Sequence, residues 1–424
     1  MEGWHGWLAV LLTAVSAAAV EPSGTPTDAT SNRAGMVESD PAPDSLGVPA
    51  QTPATGMPWN AGVALVAGPV AGPSPPWCMN EPAPGMLAAS CCPRAGCDPG
   101  WFPIGRITCA SPPHEFWYGE LTATGLKRDT DPTGGPIATL DTADNVVLYA
   151  RDAWPDFRAG AMVRLGRMFT PRWAIEYSYL GTGTWQADAA VGDQTANALG
   201  GLGNLFSPFG DFGDAPVEDF DYNELVSIHG STDLASFELS LRNRLSMPTE
   251  PLQVSVFYGI RYIDLGERFD YYSQTQVPLP TGATQWVDVR IQNDLFGAQL
   301  GTLLEWHIEP QWWLDARLAA GLYNNRAMQR TVYCETGDHP GENVLEKHGE
   351  RGSVGAEVSL ALAYYPRPNL GAQFGYHFLW LDRVALAAEN FETDPILLRE
   401  GPAQLDSEGT IMFHGPFLGV TLAW

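Results

Sequence analysis

Between residues 116 and 424, apolar and polar residues alternate with a period of two, in runs separated by Gly, Pro, Asn and Asp. Within 371–381, Ala372, Phe374, Tyr376, Phe378 and Trp380 share one face, and Gln373, Gly375 and His377 the other. Within 354–364, Val354, Ala356, Val358, Leu360, Leu362 and Tyr364 oppose Gly355, Glu357 and Ser359. Phe237, Leu239 and Leu241 oppose Ser236, Glu238, Ser240 and Arg242 in the same way. Successive side chains of a strand point to opposite sides, so each run predicts a strand with one apolar face. Ten strands are predicted, over 117–127, 157–168, 173–181, 234–244, 252–264, 295–306, 313–323, 353–365, 371–381 and 413–424. The stretches 146–151 and 224–229 would add a hairpin pair and raise the number to twelve.

The links between these strands alternate in length. Those at 169–172, 245–251, 307–312 and 366–370 are short, whereas those at 128–156, 182–233, 265–294, 324–352 and 382–412 are long. Short turns on one side and long loops on the other are the habit of an outer-membrane barrel, and most runs have the roughly 9 to 11 residues that a tilted strand needs to cross a bilayer. The predicted fold is therefore all-β: a transmembrane antiparallel up-and-down β-barrel of about ten strands, spanning residues 113–424. The charges of the strands lie on the face opposite the apolar one, which points Glu120, Arg164, Glu176, Glu238, Arg242, Arg261, Gln299, Glu305, Asp315, Arg317 and Glu357 inward. A soluble barrel reverses that arrangement. Aromatics gather at strand ends (Trp117, Trp173, Trp306, Trp313, Tyr364, Tyr365, Trp380 and Trp424), as interfacial girdles do. A secreted all-β domain with aromatic core strands is the alternative.

Composition sharpens the picture. Charged residues make up 17% of the 424, and Lys127 and Lys347 are the two lysines among 23 basic residues, against 49 acidic ones. The formal charge of −26 excludes a nucleic-acid backbone as partner, because phosphates need a basic face. Residues 1–20 carry an apolar run and an Ala17-x-Ala19 cleavage pattern, and are expected to be a signal peptide for export through the periplasm. Residues 21–76, rich in Pro, Ala and Gly, are expected to be a disordered linker. Residues 77–112 form a Cys-rich segment with Cys78, Cys91, Cys92, Cys97 and Cys109. Five is odd, which leaves one thiol for Cys334 or for another molecule. Disulfides are the first reading of these six cysteines, and free or intermolecular thiols the second. Metal binding is disfavoured, since no Cys-x-x-Cys pair is present.

Several stretches together carry a resemblance. They are Phe116-Trp-Tyr-Gly-Glu-Leu121, Phe237-Glu-Leu-Ser-Leu-Arg242, Gly259-Ile-Arg-Tyr-Ile263, Asn293-Asp-Leu-Phe-Gly-Ala-Gln-Leu-Gly301 and His414-Gly-Pro-Phe-Leu-Gly419, with the final Trp424. In this order the chain resembles the β-barrel outer-membrane proteins abundant in planctomycete bacteria, related to the Legionella-type major outer-membrane proteins. The resemblance covers residues 116–424 and implies an outer-membrane barrel in the bacterial outer membrane. It transfers no catalytic or binding residue.

The candidate chemistry lies in the lumen. Glu238, Arg242, Arg261, Glu305, Asp315, Arg317 and Glu357 are expected to line it, and opposite charges in a narrow lumen pair more readily than they form an ion-selecting ring. Leu418, Val420, Leu422 and Trp424 form the apolar face of a closing strand and are expected to be the assembly signal read by the barrel-assembly machinery. Asp219-x-Asp221-x-Asn223 has the spacing of a calcium-loop start but carries Glu224 where that loop needs Gly, so the divalent cations expected at the acidic outer loops have no defined cage. Asp338-His339 and His377 lack a nucleophile and an oriented partner, and neither a catalytic role nor a cofactor is expected. Outer-membrane lipid is the expected partner, and the oligomeric state is undetermined. These features predict a structural or surface-interacting barrel, with a small passive diffusion pore as the alternative.

Overall fold

The computed structural model describes residues 116–130, 135–154, 157–198, 201–214, 220–246, 251–275, 283–336, 340–401 and 404–424. The signal peptide, the linker and the Cys-rich segment lie outside them, as do Asp219, Asp338 and His339. In chain order the strands are β1 Phe116–Thr130, β2 Pro136–Leu140, β3 Val146–Tyr149, β4 Phe157–Met168, β5 Trp173–Thr182, β6 Trp185–Gly192 and β7 Leu205–Phe206. They continue as β8 Asn223–Arg244, β9 Leu252–Thr275, β10 Thr284–Glu309, β11 Trp312–Glu335, β12 Gly341–Arg367, β13 Leu370–Val384 and β14 Gly409–Ala423. A short helix, α1 Pro395–Glu400, starts at Asp394, whose carboxylate accepts from the Ile396 amide as an N-cap.

Ten of these strands close a ring, in the order β1, β4, β5, β8, β9, β10, β11, β12, β13, β14 and back to β1, each pair antiparallel. Closure satisfies every edge without water, which a lipid-embedded sheet requires. The ten ring strands coincide with the ten predicted runs. Of the two stretches that would have given twelve, 146–149 is the short strand β3, paired with β2 outside the ring, and 224–229 is the upper part of β8.

Strands β8 to β12 are 22 to 27 residues long and run 11 or 12 residues beyond their predicted ends, always on the long-loop side. The barrel thus continues above the bilayer as a half-wall. There β6 takes over from β5 as the neighbour of β8, while β2, β3 and β7 fold beside it.

Below the wall the outward face is apolar. Leu121, Phe237, Ile260, Phe296, Leu300, Leu322, Leu360, Phe374, Leu418 and Val420 are all exposed there, which in water would be an aggregating surface and in lipid is the buried one. Trp117, Trp306, Trp312 and Trp424 mark its lower rim.

Candidate functional site

The interior of the barrel is built in layers. Toward the short turns lies a polar layer that contains four arginines and four glutamates. Arg164 Nη1 is 2.8 Å from Glu120 Oε2, Arg242 Nη1 3.0 Å from Glu176 Oε1, and Arg317 Nη2 2.6 Å from Glu238 Oε1. Arg261 donates to Glu357 and, from Nε, to Ser236 Oγ at 2.8 Å. Arg317 is the hub: Glu357 and Glu176 lie 3.7 and 3.8 Å from its guanidinium, and that group stacks 3.8 Å above the Phe257 ring. Gly301 is small because this ring lies across it, and an added methyl would overlap Phe257. Tyr118 donates to Glu176, Gln373 to Glu120 and Ser240 to Glu238, so neutral donors complete the carboxylate shells. Charges removed from water persist only when paired and hydrogen-bonded in this way.

Of the lumen residues expected from sequence, Glu238, Arg242, Arg261, Arg317 and Glu357 meet in this network. Glu305 and Asp315 face each other across β10 and β11 and line a cavity of about 60 Å³ beside it, with Tyr365 and Gln373. That volume has room for a few waters. His377 is buried in the same lumen.

Above the charges lies an apolar layer. Leu126, Leu180, Trp185, Leu234, Ile263, Leu295, Leu379, Leu381, Ile411 and Phe413 form one cluster across the barrel, which Val384 joins from the end of β13 and Leu386 from the β13–β14 connection. Trp185 anchors its indole by donating to the Leu126 carbonyl at 3.1 Å.

The outer layer consists of the described parts of the β1–β4, β5–β8 and β13–β14 connections, folded against the half-wall. Ala385, Ala387 and Leu398 pack with Ile137, Leu148, Leu205, Phe209, Phe220, Phe269 and Tyr271. The chain beyond β13 is tied to the wall at Ala385 and at Arg399. Asn293 binds Ala385 through both carbonyl and amide, at 2.8 and 2.9 Å, and Arg399 makes a two-point pair with Glu335 at 2.7 and 3.0 Å. Glu267, fully buried, accepts from Arg128 at 2.6 Å and from the Ala387 amide at 3.0 Å. Arg128 also stacks on Trp154 at 4.3 Å. The sequence reading missed this Arg128–Glu267 pair because both residues fell in predicted links.

Of the Asp219-x-Asp221-x-Asn223 pattern, Asp221 and Asn223 lie among the described residues. Asp221 is buried and accepts from the Ser207 amide and hydroxyl at 2.8 and 3.2 Å, and Asn223 donates to the Phe220 and Leu205 carbonyls. Both side chains hold their own loop, and among the described residues no three His, Cys, Asp or Glu converge as cation ligands. Cys334 stands at the outer end of β11 with no disulfide partner among the described residues, and the other five cysteines lie outside them.

A closed antiparallel ring with a lipid-facing apolar belt and a polar interior defines an outer-membrane β-barrel. The family described as "Putative beta barrel porin-7 (BBP7)" matches residues 124–396, and the chain belongs to that family and to the bacterial outer membrane. No curated protein matches the chain. Among solved structures it is similar to the outer membrane protease OmpT from Escherichia coli, at 9% identity over 75% of this chain and 99% of that one, TM-score 0.41. It is also similar to a major outer membrane protein from Thermus thermophilus, at 11% identity over 73% and 99%, TM-score 0.28. A Pseudomonas aeruginosa FadL homologue follows at 9% identity over 73% and 90%, TM-score 0.22.

Proposed function

We propose that the protein is a closed-lumen barrel with a structural or surface-interacting role in the outer membrane. The observation that carries this reading is the succession of three layers across one lumen: paired charges, an apolar cluster and the folded-in loops. An ion crossing it would have to displace Arg317 from its three carboxylates, lose its hydration in the apolar layer and part the outer core, each step costing several kcal/mol. The reading contains no catalytic step. It leaves the acidic loops to set the charge of the outer surface, and it takes Leu418, Val420, Leu422 and Trp424 as the strand face presented to the assembly machinery.

The second reading, a small diffusion pore, is favoured by the family's description. Planar-bilayer recording separates the two. A closed barrel gives no conductance or rare small openings, whereas steady channels whose ion preference changes in Glu305→Gln or Arg317→Met overturn the proposal in favour of the pore.

A further inference from the structure

Above the apolar belt, the outer face of the half-wall carries three arginines side by side. Arg268 on β9, Arg290 on β10 and Arg330 on β11 are direct cross-strand partners, in one row. Like charges facing each other across strands are destabilising, so such a row is a cost the fold must offset. It does so in part with Asp288, buried in the next row of the same face, which accepts from Arg268 at 3.2 Å and from Arg290 at 2.6 to 3.1 Å. Asp270 accepts from Arg268 at 2.9 Å, and Glu346 stands 3.5 Å from Arg330 Nε.

These carboxylates occupy one side of each guanidinium and leave others open. Arg290 Nη1 and both terminal nitrogens of Arg330 have no hydrogen-bond partner among the described residues, and the side chains are 51% and 44% exposed. The three arginines border a hollow of about 400 Å³, opened where Gly266 contributes no side chain and walled by Gln292 and Met328. Ser231 and Asp233 complete its rim.

The height of the hollow restricts what can fill it. The aromatic row Phe237, Tyr262 and Phe296 marks the upper edge of the belt, and Arg268 stands six residues beyond Tyr262. At roughly 3.3 Å per residue and a tilt of about 40°, that is about 15 Å farther out, beyond the few ångströms of a phospholipid headgroup zone. A ligand anchored in the outer leaflet reaches this level through sugars. Open guanidinium donors suit a phosphate group, Asp233, Ser231 and Gln292 suit sugar hydroxyls, and the Met328 side chain suits a sugar's apolar face.

We propose that this hollow binds a phosphorylated sugar of an outer-leaflet glycolipid. The site is independent of whether the lumen conducts. It is tested on the full-length barrel in detergent micelles, with phosphorylated lipopolysaccharide, the same lipid dephosphorylated, phosphatidylglycerol and inorganic pyrophosphate as probes. The phosphorylated glycolipid should bind at least tenfold more tightly than its dephosphorylated form and than phosphatidylglycerol. R290Q/R330Q should abolish that preference, while R326Q, on the same strand but outside the hollow, should keep it. R330Q alone is the check on folding, because its guanidinium has the one long contact to Glu346, and it should lose part of the preference while remaining heat-modifiable. Equal binding of the two glycolipid forms, or an unchanged preference in the double variant, overturns the site. Pyrophosphate binding as tightly as the glycolipid overturns the lipid assignment in favour of a free-anion site.

Discussion

Trp117 and Trp424 exchange both of their backbone hydrogen bonds, each at 2.9 Å, and so fix the last register point between β1 and β14. From there the pairing runs upward through Leu121–Val420 and Ala123–Leu418 to Thr130–Ile411. Removing residues 410–424 leaves the edges of β1 and β13 unpaired, and lipid offers no hydrogen bonds to replace those lost. The truncated chain is expected to aggregate or be degraded outside the membrane. Its recovery as a heat-modifiable band in outer-membrane fractions would contradict the closed ring.

On β12, Leu360 is 48% exposed on the belt while its neighbour Ser359 points into the lumen beside Arg317. Arginine at Leu360 should destabilise the folded barrel by about 2 to 4 kcal/mol if placed near the bilayer midplane, and arginine at Ser359 by less. Urea unfolding in lipid vesicles measures both. The reverse order would place the wrong face of β12 in lipid.

The ten ring strands were legible because, within the membrane, charge and apolarity sit on opposite faces. Their full lengths were not, and β9 shows why. Up to Tyr262 its apolar residues other than Phe257 point outward, and Gln253, Ser255 and Arg261 point inward. Beyond it, Ile263, Leu265, Phe269 and Tyr271 are buried inside, and Asp264, Arg268 and Asp270 face out. The alternation reverses phase where lipid gives way to water. The reversal sets two apolar residues together and reads as the end of a strand. The same reversal occurs at Leu295–Phe296 and at Leu322–Tyr323. Period alone also pointed Glu238 and Arg317 inward, but their meeting depends on register around the ring and has no local signal. The Arg128–Glu267 pair and the arginine row both lie past a phase reversal, where the sequence reading had already ended the strands.

Arg317 is the residue on which the charge layer depends. Arg317→Met leaves Glu238 without its 2.6 Å partner and Glu176 and Glu357 without a shared cation. Breaking a buried pair from one side typically costs about 3 to 5 kcal/mol, whereas removing both charges is often close to neutral. R317M should therefore be strongly destabilised, and E238Q/R317M should recover much of the loss. A double variant no more stable than R317M would show that the two side chains are not coupled.

In the outer loop, burial pushes the Asp193 carboxyl up, but hydrogen bonds from the Thr195 hydroxyl and amide and from Asn204 outweigh it and hold the group below the usual aspartate range. A depressed carboxylate contributes stability above its unfolded value and loses it as pH falls through the folded one. Exchange protection of the Thr195 and Asn204 amides should thus be constant from neutral pH to the ordinary aspartate range, then fall in stronger acid. In Asp193→Asn, protection should be weaker at neutral pH and lack this acid step.

If the proposed layers close the lumen independently, chemical labelling separates them. Ala327 faces the segment 385–408 from β11, between Asn325, which donates to the Arg383 carbonyl, and Gln329, which donates to that of Asn390. Ser240 lies in the charge layer, hydrogen-bonded to Glu238, on the other side of the apolar cluster. In a background with the six native cysteines changed to serine, Ala327→Cys and Ser240→Cys should both resist a membrane-impermeant maleimide added outside. Replacing residues 386–407 by a short turn removes the covering loop but leaves Leu126, Ile263, Leu295, Leu379 and Phe413 in place across the barrel. Ala327→Cys should then label and Ser240→Cys should remain protected, because water has little to bind in an apolar layer. Labelling at Ser240→Cys after the loop exchange would mean that the loop itself is the barrier and that the barrel beneath it is open.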